Sequence, residues 1–160
     1  LNKAGKADAI LIADASRTAV QAIPNLRRGP STSARILWTE LWNTEMGLTS
    51  PALAGAWFAS VSDGVYGQMA ARYRGRFGGA PYRLSSLGYD AVLLATKVAA
   101  NWKLGTAFPL PALDDAGGFS GIDGPFRFNA YGVAERALEV QQIGPNGMTV
   151  ISPAPKGFED

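Results

Sequence analysis

The sequence holds neither cysteine nor histidine in its 160 residues. Disulfides, thiolate nucleophiles, Cys/His zinc sites and every His-dependent catalytic triad are therefore excluded together, and most hydrolase mechanisms go with them. The lack of cysteine suits a reducing compartment, and equally an exported bacterial protein that uses no disulfides. Charge is also sparse. Only 18% of residues are charged and the net charge is +2, too small to imply a polyanionic partner by itself. No apolar run approaches the roughly 20 residues needed to span a bilayer. The opening residues, Leu1 to Asp8, lack an initiator Met, a long apolar stretch and a small-residue cleavage site. They read as neither signal peptide nor membrane anchor, and the chain is expected to be cut from something longer. What remains is 47% hydrophobic, enough for a globular chain with a sizeable core.

Periodicity gives two strand-to-helix units, two long helices and a β-rich end. Ala9 to Ala13 is a continuous apolar run without alternation, the pattern of a parallel strand covered on both faces. Ser16 can cap the helix that follows, whose apolar positions Ala19, Ala22, Ile23 and Leu26 share one side. Pro24 should kink or restart that helix, and Gly29-Pro30 should end it. Arg35 to Thr39 reads as the second strand, completing a βαβ unit, and Gly55 to Ser60 as a third. Tyr66, Met69, Ala70, Tyr73 and Phe77 then form one helical stripe, closed by Gly78 to Pro81. Leu87, Ala91, Leu94, Val98 and Trp102 form another. Residues 105 to 118 offer a connector and a short helical turn. From residue 118 to 143 the chain reads as strand, turn, strand, with Phe126, Phe128, Leu138 and Val140 at period two and Gly124, Pro125 and Gly132 as turn residues.

Other constellations have plainer accounts. Arg72 and Arg76 lie on one helix face and Arg74 on another, so with Tyr73, Phe77 and Arg83 they suit a solvated helix better than a nucleic-acid surface. Gly117 to Asp123 is one residue too long for a calcium-binding glycine repeat and has no stacked copies. Asp114 and Asp115 lack a spaced ligand series. Arg127 and Arg136 suit surface pairs across adjacent strands with Glu135 or Glu139. The first βα turn, Asp14-Ala15-Ser16-Arg17, is not the glycine-rich turn that hydride or phosphate chemistry needs.

Three stretches, in order, carry a resemblance to a known family. They are Ala7 to Ala13 before a helix; Tyr73, Phe77, Gly78 and Pro81 followed by Tyr89-Asp90-Ala91-Val92; and Phe119, Gly121, Gly124, Phe128 and Gly132, which fit F-x-G-x-x-G-x-x-x-F-x-x-x-G. Together they resemble the C-terminal part of the type I periplasmic binding proteins, the Leu/Ile/Val-receptor family. Phe119 to Phe128, the Glu135-Arg136 pair and Ala154 to Phe158 look most like the branch of lipoprotein activators of penicillin-binding proteins.

The resemblance implies an α/β fold of periplasmic-binding-protein type: an open, mainly parallel sheet flanked by helices, closed by a C-terminal β-hairpin, and part of an incomplete two-lobed receptor. Residues 1–62 would be the α/β portion of the second lobe, 63–118 a helical portion that packs on the first lobe in the family, and 119–160 the hinge return and closing hairpin. It further implies a noncatalytic receptor without cofactor or metal that closes on a small amino-acid-like solute for ABC-type transport or sensing. The other reading is an activator that contacts a peptidoglycan synthase. The protein would be periplasmic, with a lipid anchor in the parent as one form. Partners would be the solute, a membrane permease or the synthase, and the rest of the parent chain or a second copy covering the two long helices; no nucleic acid is implied.

Ligands of open α/β sheets sit beyond the carboxyl ends of the strands. Here that edge offers Asp14, Ala15 and Ser16 after the first strand, and Thr39, Glu40 and Trp42 after the second. Glu40 matches the position where amino-acid receptors of the family hold a carboxylate against the ligand's ammonium group, while Ala15 falls near one where they often use an aromatic. Glu40 equally suits a helix-capping or solvent carboxylate, and Trp42 an ordinary packed aromatic rather than a stacking platform.

Overall fold

A computed structural model describes residues 5–39 and 50–158. In chain order it contains β1 (Ala9–Ile12), α1 (Ser16–Leu26), β2 (Arg35–Trp38), β3 (Trp57–Ser60), α2 (Asp63–Phe77), α3 (Ser85–Ala99), β4 (Phe119–Gly121), β5 (Gly124–Phe128), β6 (Ala134–Arg136), β7 (Glu139–Gly144) and β8 (Gly147–Ser152). Single 3-10 turns at Pro51–Leu53 and Leu110–Leu113 lie in the connections. The chain divides into two compact units, residues 1–60 with 139–153, and residues 61–138 with 154–160.

The first unit is a five-stranded sheet in the order β1-β2-β3-β7-β8. β1, β2 and β3 run parallel, with Ile12 opposite Trp38 and Trp38 opposite Phe58. β7 joins antiparallel to β3, and β8 closes a hairpin on it. The period-two rule sends Ile36, Trp38, Phe58 and Ile143 to one face. There they form a buried core with Ala19 and Ile23 of α1 and with Leu53 and Ala56. Trp38 and Phe58 stack at 6.4 Å between centroids. The expected mainly parallel α/β sheet and the C-terminal hairpin are both present.

Several local expectations are corrected. β1 is not covered on both faces: it is an edge strand, and Leu11 is 62% exposed on the side away from α1. Ser16 is not the cap of α1 but its first residue; Ala15 is the N-cap and no side chain caps the helix. Pro24 neither kinks the helix into two nor restarts it. It falls in the final turn, where only Asn25 and Leu26 follow, and the helix ends at Leu26, before Gly29. β2 stops at Trp38, one residue before Thr39. Gly55 adopts a left-handed φ of +79° in the turn before β3, so the third strand starts only at Trp57.

The second unit holds α2, α3 and a small antiparallel sheet, β4-β5-β6. The stretch from residue 118 to 143 is therefore not one strand-turn-strand. It supplies β4, β5 and β6 to this sheet and β7 to the other, with Leu138 outside any strand. Phe119, Phe126 and Phe128 cluster on one side, Phe119 and Phe126 being 5.7 Å apart. Arg127 pairs with Glu135 at 2.9 Å across β5 and β6, as their register requires. Arg136 and Glu139 do not follow the expected surface pairing. Arg136 turns to Asp90 of α3, and Glu139 is buried in the first unit, accepting a hydrogen bond from Gln141.

Two buried carboxylates fasten the β4–β5 hairpin to α3. Asp90, 2% exposed, accepts the backbone N–H of Ile122 at 2.6 Å and lies 3.3 Å from Arg136 Nη1. Asp123, in the hairpin turn, accepts from the Ser86 hydroxyl and from Arg83 Nη1, each at 2.6 Å. The face that α3 buries is thus led by Ser86 and Asp90. Leu87, of the apolar stripe, is exposed. Gly121 is required by this arrangement, since a Cβ there would stand 2.7 Å from the Asp90 carboxyl carbon. Gly121→Ala is expected to destabilise the second unit by about 1–3 kcal/mol, seen as a lower urea midpoint. An unchanged midpoint would mean that the Asp90 contact does not hold the hairpin.

Candidate functional site

The parallel register sets the geometry of the candidate site. Because Ile12 lies opposite Trp38, the chain leaves β1 and β2 at the same edge of the sheet. Asp14, Ala15 and Ser16 follow the one strand, and Thr39 follows the other. The structure therefore brings these four residues to one carboxyl edge; Glu40 and Trp42 lie outside the described residues.

The β1–α1 turn is tightly organised. The Asp14 Oδ1 atom accepts the Ala15 N–H at 2.6 Å. Ala15, extended at φ −61° and ψ 152°, presents its carbonyl to the N–H groups of Thr18 and Ala19, at 3.0 and 3.2 Å. Ser16 is buried at the first helical position. The first turn of α1 contains no acidic side chain, and the carboxylate that meets the positive end of the helix dipole is that of Asp14, just before the helix, on the Ala15 N–H. Helix starts of this kind are suited to carboxylate or phosphate groups, because their leading N–H groups point outward.

Thr39 is half-buried, and its Oγ1 finds no hydrogen-bond partner among the described residues. A buried hydroxyl left unpaired costs about 1–3 kcal/mol. Binding sites tolerate such a cost, because a ligand can supply the missing partner. No spacing signal distinguishes Thr39 from an ordinary strand-end threonine. Glu139 is a residue that sequence reasoning misplaced, since its alternation with apolar neighbours reads as a surface pattern. Among the described residues, no group of three or more acidic side chains could hold a metal ion. No helix among them is long and apolar enough to cross a membrane.

Comparison with solved structures decides the fold. A branched-chain amino acid ABC transporter protein from Rhodospirillum rubrum superposes with a TM-score of 0.66, at 21% identity over 90% of this chain and 44% of its own. The chain has a type I periplasmic-binding-protein fold. LivJ from Streptococcus pneumoniae, determined in complex with isoleucine, shares it at a TM-score of 0.54 and 17% identity, covering 94% of this chain and 46% of its own. So does the C-domain of LpoA from Haemophilus influenzae, a regulator of PBP1A, at a TM-score of 0.60 and 14% identity, covering 90% and 44%. The chain spans under half the length of each of these matched structures. No family model and no curated relative matches it.

The unpaired hydroxyl gives a direct check. Thr39→Val removes it at nearly constant shape, and is expected to leave stability unchanged or raise it by up to about 1 kcal/mol in urea unfolding. A loss of more than about 1 kcal/mol would mean that the hydroxyl is already satisfied within the protein.

Proposed function

We propose that the chain is part of a noncatalytic, periplasmic solute-binding receptor that grips a small amino-acid-like ligand at the carboxyl edge of its parallel strands, for transport or sensing. The observation that carries this reading is the convergence of the α1 start and the unpartnered Thr39 hydroxyl on one edge, in a fold whose matched structures include a protein bound to isoleucine. In this reading the first turn of α1, beyond the Ala15 N–H that Asp14 occupies, receives the ligand carboxylate. Thr39 donates to or accepts from the ligand, and Glu40 faces its ammonium group. Asp14 holds the turn through the Ala15 N–H. No step of bond breaking is required, and closure of two lobes on the ligand supplies the signal.

The exposed helices fit a receptor whose other half lies elsewhere in the parent. Tyr73, Phe77 and Val92 of α2 and α3 are all exposed, Phe77 and Val92 by 62% and 63%. A groove of about 470 Å³ is lined by Tyr73, Phe77, Tyr89 and Leu93, together with Arg72 and Arg76. Covering each large apolar side chain is worth about 1.5–3 kcal/mol, so these faces are expected to be buried against the rest of the parent chain or a second copy. On its own the chain should self-associate or bind a hydrophobic dye strongly in sedimentation and fluorescence measurements. A dye-silent monomer would contradict this.

A second reading is favoured by the match to the LpoA C-domain and by Ala15, which offers no aromatic surface to a ligand. Here the same fold, in a lipid-anchored periplasmic parent, activates a peptidoglycan synthase through protein contact. One experiment separates the two. The full-length parent is heated with a panel of branched-chain and other amino acids. The receptor reading predicts a concentration-dependent rise in Tm, since ligand at 100 times its Kd adds about 2.7 kcal/mol. Silence across the panel, with capture of a purified synthase, would favour the activator.

A further inference from the structure

We propose a second binding site, for a phosphate-class oxyanion, at the opposite, amino-terminal edge of the first unit's sheet. It is a polar cavity of about 240 Å³, lined by Arg27, Thr32, Ser33, Arg35, Ala54 and Gly55 among others. Arg27 follows the last residue of α1, and Arg35 opens β2.

The two guanidinium groups are anchored on consecutive carbonyls. Arg27 Nη2 donates to the Ala54 oxygen at 3.4 Å, and Arg35 Nη1 to the Gly55 oxygen at 3.0 Å. Those carbonyls are held from behind. The Gly55 N–H donates to Ile143 at 2.8 Å, Ile143 donates back to Ala56 at 3.0 Å, and Leu53 and Ala56 are in the core. Gly55 has a φ of +79°, a conformation that L side chains rarely adopt. Arg35 is further fixed by stacking 4.4 Å over the Trp57 ring. Two exposed cations are thus tied to neighbouring carbonyls of one turn.

Nothing within the described residues neutralises them. Neither arginine enters an ion pair, and no carboxylate lines the cavity. A cation beside the α1 C-terminus is favoured by the helix dipole, which accounts for Arg27 but not for Arg35 beside it. Thr32 and Ser33, both exposed, bring a hydroxyl each to the residues around the same space. Two guanidinium forks and two hydroxyls present many donors around a small volume. That set suits a tetrahedral oxyanion with several acceptor oxygens better than a lone carboxylate, which one fork would satisfy. The phosphate can be free in solution or the headgroup of an anionic lipid; the chemistry at the arginines is the same.

The test uses amide NMR of the ¹⁵N-labelled full-length parent, titrated with sodium phosphate against sodium chloride at matched ionic strength, and sedimentation with phosphatidylglycerol vesicles. Phosphate-specific shifts at Thr32, Ser33 and Gly55 are expected, weakened about tenfold in Arg27→Gln, whose exposed side chain lies outside the core. Arg35→Lys, which keeps the charge but loses the fork, should weaken the response as well while preserving the rest of the spectrum. Arg27-dependent vesicle binding would identify lipid as the source of the anion; shifts without vesicle binding would identify soluble phosphate. Equal responses to phosphate and chloride, or a phosphate response unchanged in Arg27→Gln, would overturn the site.

Discussion

The register between β1, β2 and β3 is the constraint on which the rest depends. Placing Ile12 against Trp38 and Trp38 against Phe58 fixes which side chains meet α1. It also fixes where the chain leaves each strand. A slip of one residue would send Ile36, Trp38 and Phe58 to the opposite face of the sheet and expose the core. The same slip would separate Thr39 from the start of α1. Stability and the candidate site are therefore set by one pairing pattern, and the two edges of the sheet acquire different chemistry. At the carboxyl edge stand a helix start and an unsatisfied hydroxyl; at the amino edge stand two exposed arginines tied to neighbouring carbonyls.

The second unit is organised by buried polar contacts rather than by a large apolar core. Asp90 and Asp123 each lie against an arginine and also accept an N–H or O–H bond. Buried carboxylates with both kinds of partner specify one arrangement, because losing either partner strands a charge. Meanwhile the apolar faces of α2 and α3 remain in solvent. This combination of fixed polar contacts inside and bare apolar faces outside is what a segment of a larger protein presents.

The sheet was legible because strand and helix signals agreed: an apolar run, a helical stripe and a second short strand within one βαβ unit. Strand bounds were less legible, since left-handed Gly55 and the early end of β2 at Trp38 depend on contacts remote in sequence. The polar anchor of α3 was not legible, because helical spacing ranks apolar positions such as Leu87 above Asp90. The buried aspartate wins through Ile122 and Arg136, neither of which is near it in the chain. Four of the six candidate site residues fall on one edge because that placement follows from parallel topology alone. The lack of a partner for Thr39 among the described residues, and the carbonyls of Ala54 and Gly55 that meet Arg27 and Arg35, depend on tertiary geometry that no local pattern encodes.

Backbone amide NMR of the full-length parent during amino-acid titration tests the central claim most directly. If the carboxyl edge grips solute, saturable shifts will concentrate at Asp14, Ala15, Ser16 and Thr39. Shifts confined to other parts of the protein, under conditions where binding is independently measured, would contradict the assignment of that edge as the ligand site.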